Sequence, residues 1–376
     1  MMGEIRQLTG LRGVCALIVV IGHYASGENS FLIYFTFQNV VVDVFFCLSA
    51  FTLCLVYGAG GRGTLRLGAF AGARVARIYP VYLVTLLITI VVQRSCDPAP
   101  LATSHLLGQA LLLNALPVPG LAGAWNNPAW SVSVEAFCYA LVFPLAFRAS
   151  RRLAARPRLV AVLLAVAVAA DYIAFRYYFD IRALLIGAGP PERAVAYWMP
   201  LLRGVSMFAG GWLAYLLWLR GPAWAAIMGM ATDAVAVLIV ILAIWAAPQQ
   251  MELQMLVLLA PLLVAGLMDG TSVTARLLAT APAVWLGRVS FSLYLIHQPV
   301  LLAYGAFDSS HEGMRRFVVP LAATAVIALA LFYGVEMPMR RVLRRVLVAP
   351  GLAHSGLTQI GGPHRLAIDQ LRPGAG

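Results

Sequence analysis

Lysine is absent from this chain of 376 residues, and charge of either sign is scarce, with acidic and basic residues together making up 11%. A soluble domain carries about 25% charged residues, so an ordinary water-exposed surface is excluded. All of the base is arginine, which leaves a formal net charge of +12. A basic excess can serve nucleic acid, but these arginines fall in the gaps between apolar runs, as membrane topology requires, and nucleic-acid binding is excluded. Cysteine is also sparse. Cys15, Cys47, Cys54, Cys96 and Cys138 are scattered, all but Cys96 in apolar stretches, and they form neither a disulfide framework nor a metal-binding spacing. No metal is expected. The first apolar run lacks a following small-residue cleavage site of the Ala-x-Ala type, so it reads as a retained helix and not as a signal peptide. No internal or inverted repeat of the transporter kind is visible.

What the chain has in abundance is apolar sequence, 61% of its residues. Runs of about twenty apolar residues can each cross a bilayer. Such runs lie near 11–27, 36–57, 79–93, 130–147, 158–176, 195–219, 228–247, 254–270, 283–303 and 316–334. The arginine clusters at 62–77, 148–158 and 340–345 fall in alternate gaps, which by the positive-inside rule puts those gaps and both termini in the cytoplasm. His105–Leu116 is too short to cross, and counting it as a crossing would place the 148–158 cluster outside. It reads as a re-entrant or interfacial segment, tolerated at membrane depth only beside protein or a water-filled cavity. The expected architecture is therefore all-α: a polytopic transmembrane bundle of about ten spanning helices over residues 1–347. Residues 348–376, polar and glycine-rich, are expected to form a disordered cytoplasmic tail.

Polar residues inside the apolar runs are the candidates for chemistry, because each is costly in lipid unless it is used. Arg12 and His23 share the first run. Eleven steps at about 1.5 Å put them roughly 16 Å apart, half the hydrocarbon thickness. Asp43 starts the second run at a depth similar to that of His23, where a carboxylate on one imidazole nitrogen would make the other more basic. In Arg74-Val75-Ala76-Arg77, a helix would present two guanidinium forks on one face, suited to phosphate. Ser131, Glu135 and Tyr139 share a face at four-residue spacing, and Glu135 needs an Arg or His partner across the bundle. Tyr294 and His297 face the same way in a later run.

Six of these segments, in order and covering nearly the whole chain, resemble motifs of the acyltransferase type 3 family of integral-membrane acyltransferases. Arg12 and His23 resemble its Arg-x10-His signature. Phe45-Phe46-Cys47-Leu48-Ser49-Ala50 resembles its Phe-Phe-x-x-Ser-Gly motif, with Ala50 in place of the usual glycine. Arg74 and Arg77 resemble its Arg-x-x-Arg element, and Trp130-Ser131-Val132-Ser133-Val134-Glu135 its Trp-Ser-Leu-Ser-Val-Glu box. Leu293-Tyr294-Leu295-Ile296-His297 and Glu336-Met337-Pro338 resemble its two late signatures.

The resemblance implies O-acylation: transfer of an acyl group, most often acetyl from acetyl coenzyme A, to a hydroxyl of a sugar, a glycan precursor or a glycosylated metabolite. It implies an enzyme of the bacterial plasma membrane acting on cell-envelope polysaccharide or similar carbohydrate. In this reading His23 is the general base and Asp43 or Glu135 orients it or balances its charge. Arg12, Arg74 and Arg77 hold the donor's phosphates, and Ser131, Tyr294 or His297 contacts substrate or the oxyanion. Two rival classes use the same residues. A proton-coupled transporter would give acid-sensitive substrate flux and no acylated product. A non-catalytic structural membrane protein would use the polar residues as helix glue, so that His23→Ala would impair folding.

Overall fold

The computed structural model describes residues 4–25, 38–61, 63–96, 103–116, 125–185, 190–246, 254–307 and 314–348; of the tail expected over 348–376, only Val348, the end of a helix, lies within them. Every backbone polar group in lipid must be paired within its own segment or a closed barrel, and the described residues form helices joined by turns, with no strand among them. They form an all-α polytopic bundle.

The long elements follow the apolar runs. They are α1 (Arg6–Ala25), α2 (Gln38–Tyr57), α3 (Leu67–Cys96) and a composite of α5 (Ala129–Phe137), a π-helical turn (Cys138–Val142) and α6 (Phe143–Ala154), with the eight-residue α4 (Thr103–Ala110) before it. Next come α7 (Pro157–Leu185), α8 (Pro190–Trp218), α9 (Pro222–Ala246) and a broken run over 254–269 centred on α10 (Ala260–Gly266), followed by the short α11 (Val273–Leu278). The chain ends in α12 (Ala281–Phe307) and a second composite, in which α13 (Met314–Leu331) passes through the π-helical turn Phe332–Glu336 into α14 (Met337–Val348). Seven stretches are long and apolar enough to cross a membrane by length and composition. That is fewer than the ten spans expected: in α9 and the 254–269 run the apolar helices are shorter, Gly229–Trp245 and Val257–Asp269. Helix α3 begins well before the apolar run at 79–93, which makes Arg74 and Arg77 helical.

Helix α4 spans about 12 Å at 1.5 Å per residue, too little to cross. Protein groups satisfy its irregular continuation, as non-helical backbone at membrane depth requires. Tyr82 donates to the Gln109 carbonyl at 2.6 Å, Ser133 donates to the Leu112 carbonyl at 2.5 Å, and the Ala115 amide donates to Ser133 Oγ at 3.2 Å. The non-spanning segment is thus bolted to α3 and α5.

Helix α1 packs against α2 and α12, α12 also against α3 and α13, and α2 against α8. Without a hydrophobic force between helices in lipid, close backbone approach drives association. A Cβ added to Gly13 would stand 2.4 Å from the Gly287 nitrogen, and one added to Gly211 would stand 2.0 Å from the Cys47 carbonyl oxygen. These glycines set the α1–α12 and α2–α8 contacts that enclose the site.

Candidate active site

Helices α1, α2, α3, α5 and α12 line a cavity that is partly open to the outside. Arg12, Ser49, Arg77 and Glu135 line it together with Ser131 and Tyr294, and Phe45, Phe46 and Phe291 supply apolar wall. Three of the expected donor-site and charge-balancing groups therefore share one cavity, although their positions in sequence run from 12 to 135.

One part of the cavity is cationic. Arg12 donates through Nη2 to the Gly287 carbonyl at 3.2 Å, while its buried Nε has no hydrogen-bond partner among the described residues. It lies within electrostatic reach of Arg77, Glu336, Glu135 and Arg340. Beside Arg12, Glu135 has hydroxyls as its hydrogen-bond donors: Ser49 donates to Glu135 Oε1 at 2.5 Å, and Tyr139 donates to the same oxygen. Arg74, like Arg77, lies within electrostatic reach of Tyr139. Its guanidinium lies over the rings of Phe70 and Tyr139, at 5.7 and 5.6 Å, and only Arg77 of the two lines the cavity. Cation–π contact suits a guanidinium, whose weak hydration lets it stack. The π-helical turns at 138–142 and 332–336 both pack on α3, which carries these arginines. Such turns recur at functional sites, where they re-aim side chains.

Tyr294 and Ser131 lie at another part of the cavity wall. Ser131 donates to the Pro128 carbonyl at 3.0 Å, so in the 2.8 Å contact between the two hydroxyls Tyr294 is the donor. The Tyr294 ring lies 5.9 Å from that of His297, which lies 5.0 Å from that of His23. His23 is outside the cavity lining, behind this wall. Both imidazoles are fixed in the same way. Nδ1 of His23 meets the Val19 carbonyl at 2.8 Å and Nδ1 of His297 meets the Tyr294 carbonyl at 2.6 Å. A carbonyl only accepts, so each Nδ1 carries the proton and each Nε2, in the neutral ring, carries a lone pair. The Nε2 of His297 is buried without a hydrogen-bond partner among the described residues.

Asp43 is not the orienting partner of His23. It is completely buried and bonded to Arg203 of α8 at 2.7 Å, and Arg203 also lies over the Trp130 ring at 5.4 Å. Similar depth in two helices brought the sequence argument to His23, but the faces of α1 and α2 differ, and the guanidinium outcompetes a neutral ring for a buried carboxylate. Arg203 and the buried Asp171, within electrostatic reach of Asp43, were missed. The signal was present: one arginine and one aspartate inside apolar runs, each needing a counter-charge that one sequence does not pair.

The geometry joins membrane-embedded imidazoles to an arginine-lined cavity, and comparison with known proteins gives it a class. A family profile described as an acyltransferase domain matches residues 5–335. Acyltransferase MdmB of Streptomyces mycarofaciens is 30% identical over 90% of this chain and 92% of its own length. Protein 2 in the picA locus of Rhizobium radiobacter is 41% identical over a shorter stretch, 21% of this chain and 40% of that protein. No solved structure matches. A profile spanning nearly the whole bundle and a relative matching over nearly its full length place the chain in the acyltransferase type 3 family, as an integral-membrane O-acyltransferase.

Proposed function

We propose that the enzyme moves an acyl group, most simply acetyl, from an acyl coenzyme A to a hydroxyl of a sugar, a glycan precursor or a glycosylated metabolite. The observation that carries the reading is the fixed tautomer of His23: Nδ1 meets the Val19 carbonyl, which puts the lone pair of the neutral ring on Nε2. In the step, the acceptor O–H gives its proton to Nε2 of His23 and its oxygen attacks the thioester carbon. The carbon–sulfur bond breaks, and the departing thiolate takes the proton back from Nε2, so the enzyme returns unchanged.

Arg12 and Arg77, which line the cavity, and Arg74 beside them meet the donor's phosphates from the cytoplasmic side. Glu135 balances that positive charge and holds Ser49 and Tyr139 in place. Tyr294, Ser131 and His297 lie between the donor cavity and the base, where they contact the acyl group or the oxyanion. Asp43 acts through Arg203, as a brace of the wall that carries Phe45 and Phe46.

Membranes containing the protein, supplied with labelled acetyl coenzyme A and extracts of surface carbohydrate and glycosylated metabolites, should yield a product heavier by one acyl group in mass spectrometry. His23→Ala should lower the rate by about a hundredfold to ten-thousandfold at unchanged expression, the usual cost of losing a general base. Turnover above about a tenth of wild type would remove His23 from the mechanism. Acylation from a donor lacking coenzyme A, with none from its thioesters, would overturn the donor class.

A further inference from the structure

Helix α12 carries Tyr294 and His297 and contains Pro299. Proline has no backbone N–H, so the carbonyl four residues earlier, that of Leu295, loses its intrahelical donor. Leu295 is fully buried. A buried carbonyl left without a donor is costly, and the cost rises where no water can reach it. The missing donor comes from 169 residues away in sequence. Asn126 Nδ2 donates to the Leu295 carbonyl at 2.8 Å, and Asn126 is itself only 2% exposed.

Asn126 is well placed to transmit that tie. Its own carbonyl accepts the amide of Ala129, the first residue of α5, at 2.8 Å. Two residues further along the helix, Ser131 bonds Tyr294. The turn before α5 and α5 itself therefore meet α12 through two hydrogen bonds, Asn126 to Leu295 and Ser131 to Tyr294, and α5 also carries Glu135 into the cavity. Loss of the first bond would free the start of α5 to shift against α12. That shift would move Ser131 and Glu135 relative to Tyr294 and His297.

We propose that Asn126 is a positioning residue for acyl transfer: it replaces the N–H that Pro299 lacks and so fixes the register of α5 against α12. The proposal rests on the functional reading only in taking the cavity as the reaction site. Because the defect created by removing Asn126 is an orphaned carbonyl, restoring a backbone donor at position 299 should repair it. An amide that touched substrate could not be replaced in that way.

The experiment is a double-mutant cycle of Asn126→Ala and Pro299→Ala, read in acyl-transfer kinetics and in melting temperature in detergent. Asn126→Ala should lower kcat about tenfold or more, with the donor KM little changed, the size expected of a buried acceptor left unsatisfied. Pro299→Ala alone should stay within about threefold of wild type, and the double variant should recover to the level of Pro299→Ala, in kcat and in melting temperature alike. A double variant as slow as Asn126→Ala, or an Asn126→Ala as fast as wild type, overturns the proposal. If Asn126→Ala does not fold, recovery of a folded, active double variant supports it and failure to recover overturns it. Recovery of melting temperature without kcat would leave a structural tie and overturn the positioning role. Absence of acyl transfer in the wild type would instead count against the functional reading, and the melting-temperature cycle would still decide whether Asn126 stands in for the missing N–H.

Discussion

At the scale of single residues, two arginines three apart on α3 have different surroundings. Arg77 lines the cavity, whereas Arg74 lies on Phe70 and Tyr139 with its buried Nε unpartnered. Lysine keeps the charge of an arginine but loses its fork and its planar stacking face. Arg77→Lys should therefore weaken donor binding, about tenfold if one charge-assisted hydrogen bond is lost, with melting temperature near wild type. Arg74→Lys should lower melting temperature as well, because it gives up two ring contacts. Isothermal titration with coenzyme A beside thermal melting separates the two, and equal affinity in wild type and Arg77→Lys would assign Arg77 to lipid headgroups.

At the scale of elements, the junction of α2 and α8 shows how buried charge is managed in this bundle. Asp43 and Arg203 pair with almost no exposure, Gly211 lets the helices touch, and Asp171 brings a second carboxylate whose oxygens have no hydrogen-bond partner among the described residues. Breaking a buried pair by removing one member typically costs about 3–5 kcal/mol, because the other charge is left uncompensated. Arg203→Ala should be strongly destabilised in a detergent melting assay, and a melting temperature equal to wild type would show that the pair does not hold the junction. Two carboxylates face one guanidinium, so Asp171→Asn removes the surplus negative charge at nearly constant shape. It should melt no lower than wild type.

At the scale of the whole molecule, the functional reading needs the arginine-rich ends of the helices on the cytoplasmic side. The protein carries its own probe. Cys15, Cys47, Cys54 and Cys138 are buried, while Cys96, the last residue of α3, is exposed. The basic end of α3, with Arg74 and Arg77, lies at the opposite end of that helix, some 30 Å away at 1.5 Å per residue. An impermeant thiol reagent added to intact cells should modify the wild-type chain, and Cys96→Ser should abolish the labelling. Labelling of wild type only after the cells are opened would invert the bundle and place Arg74 and Arg77 away from a cytoplasmic donor.

The sequence by itself determined the class of molecule. Scarce charge, apolar runs of bilayer length and arginine clusters in the gaps between them permit little but a helical membrane bundle, because a helix satisfies its own backbone without reference to the rest of the chain. It also marked most of the site, since a polar residue in an apolar run is visible one residue at a time: Arg12, His23, Asp43, Glu135 and His297 all announce themselves in this way. Tertiary structure decided the partners. Helical depth can be counted along the chain, but the face a side chain presents to another helix depends on packing between segments up to hundreds of residues apart. Asp43 therefore meets Arg203 and not His23, Glu135 accepts from hydroxyls, and Arg74 lies over aromatic rings. The same reason hid Asn126, whose importance lies in a hydrogen bond that Pro299, in a different helix, cannot make.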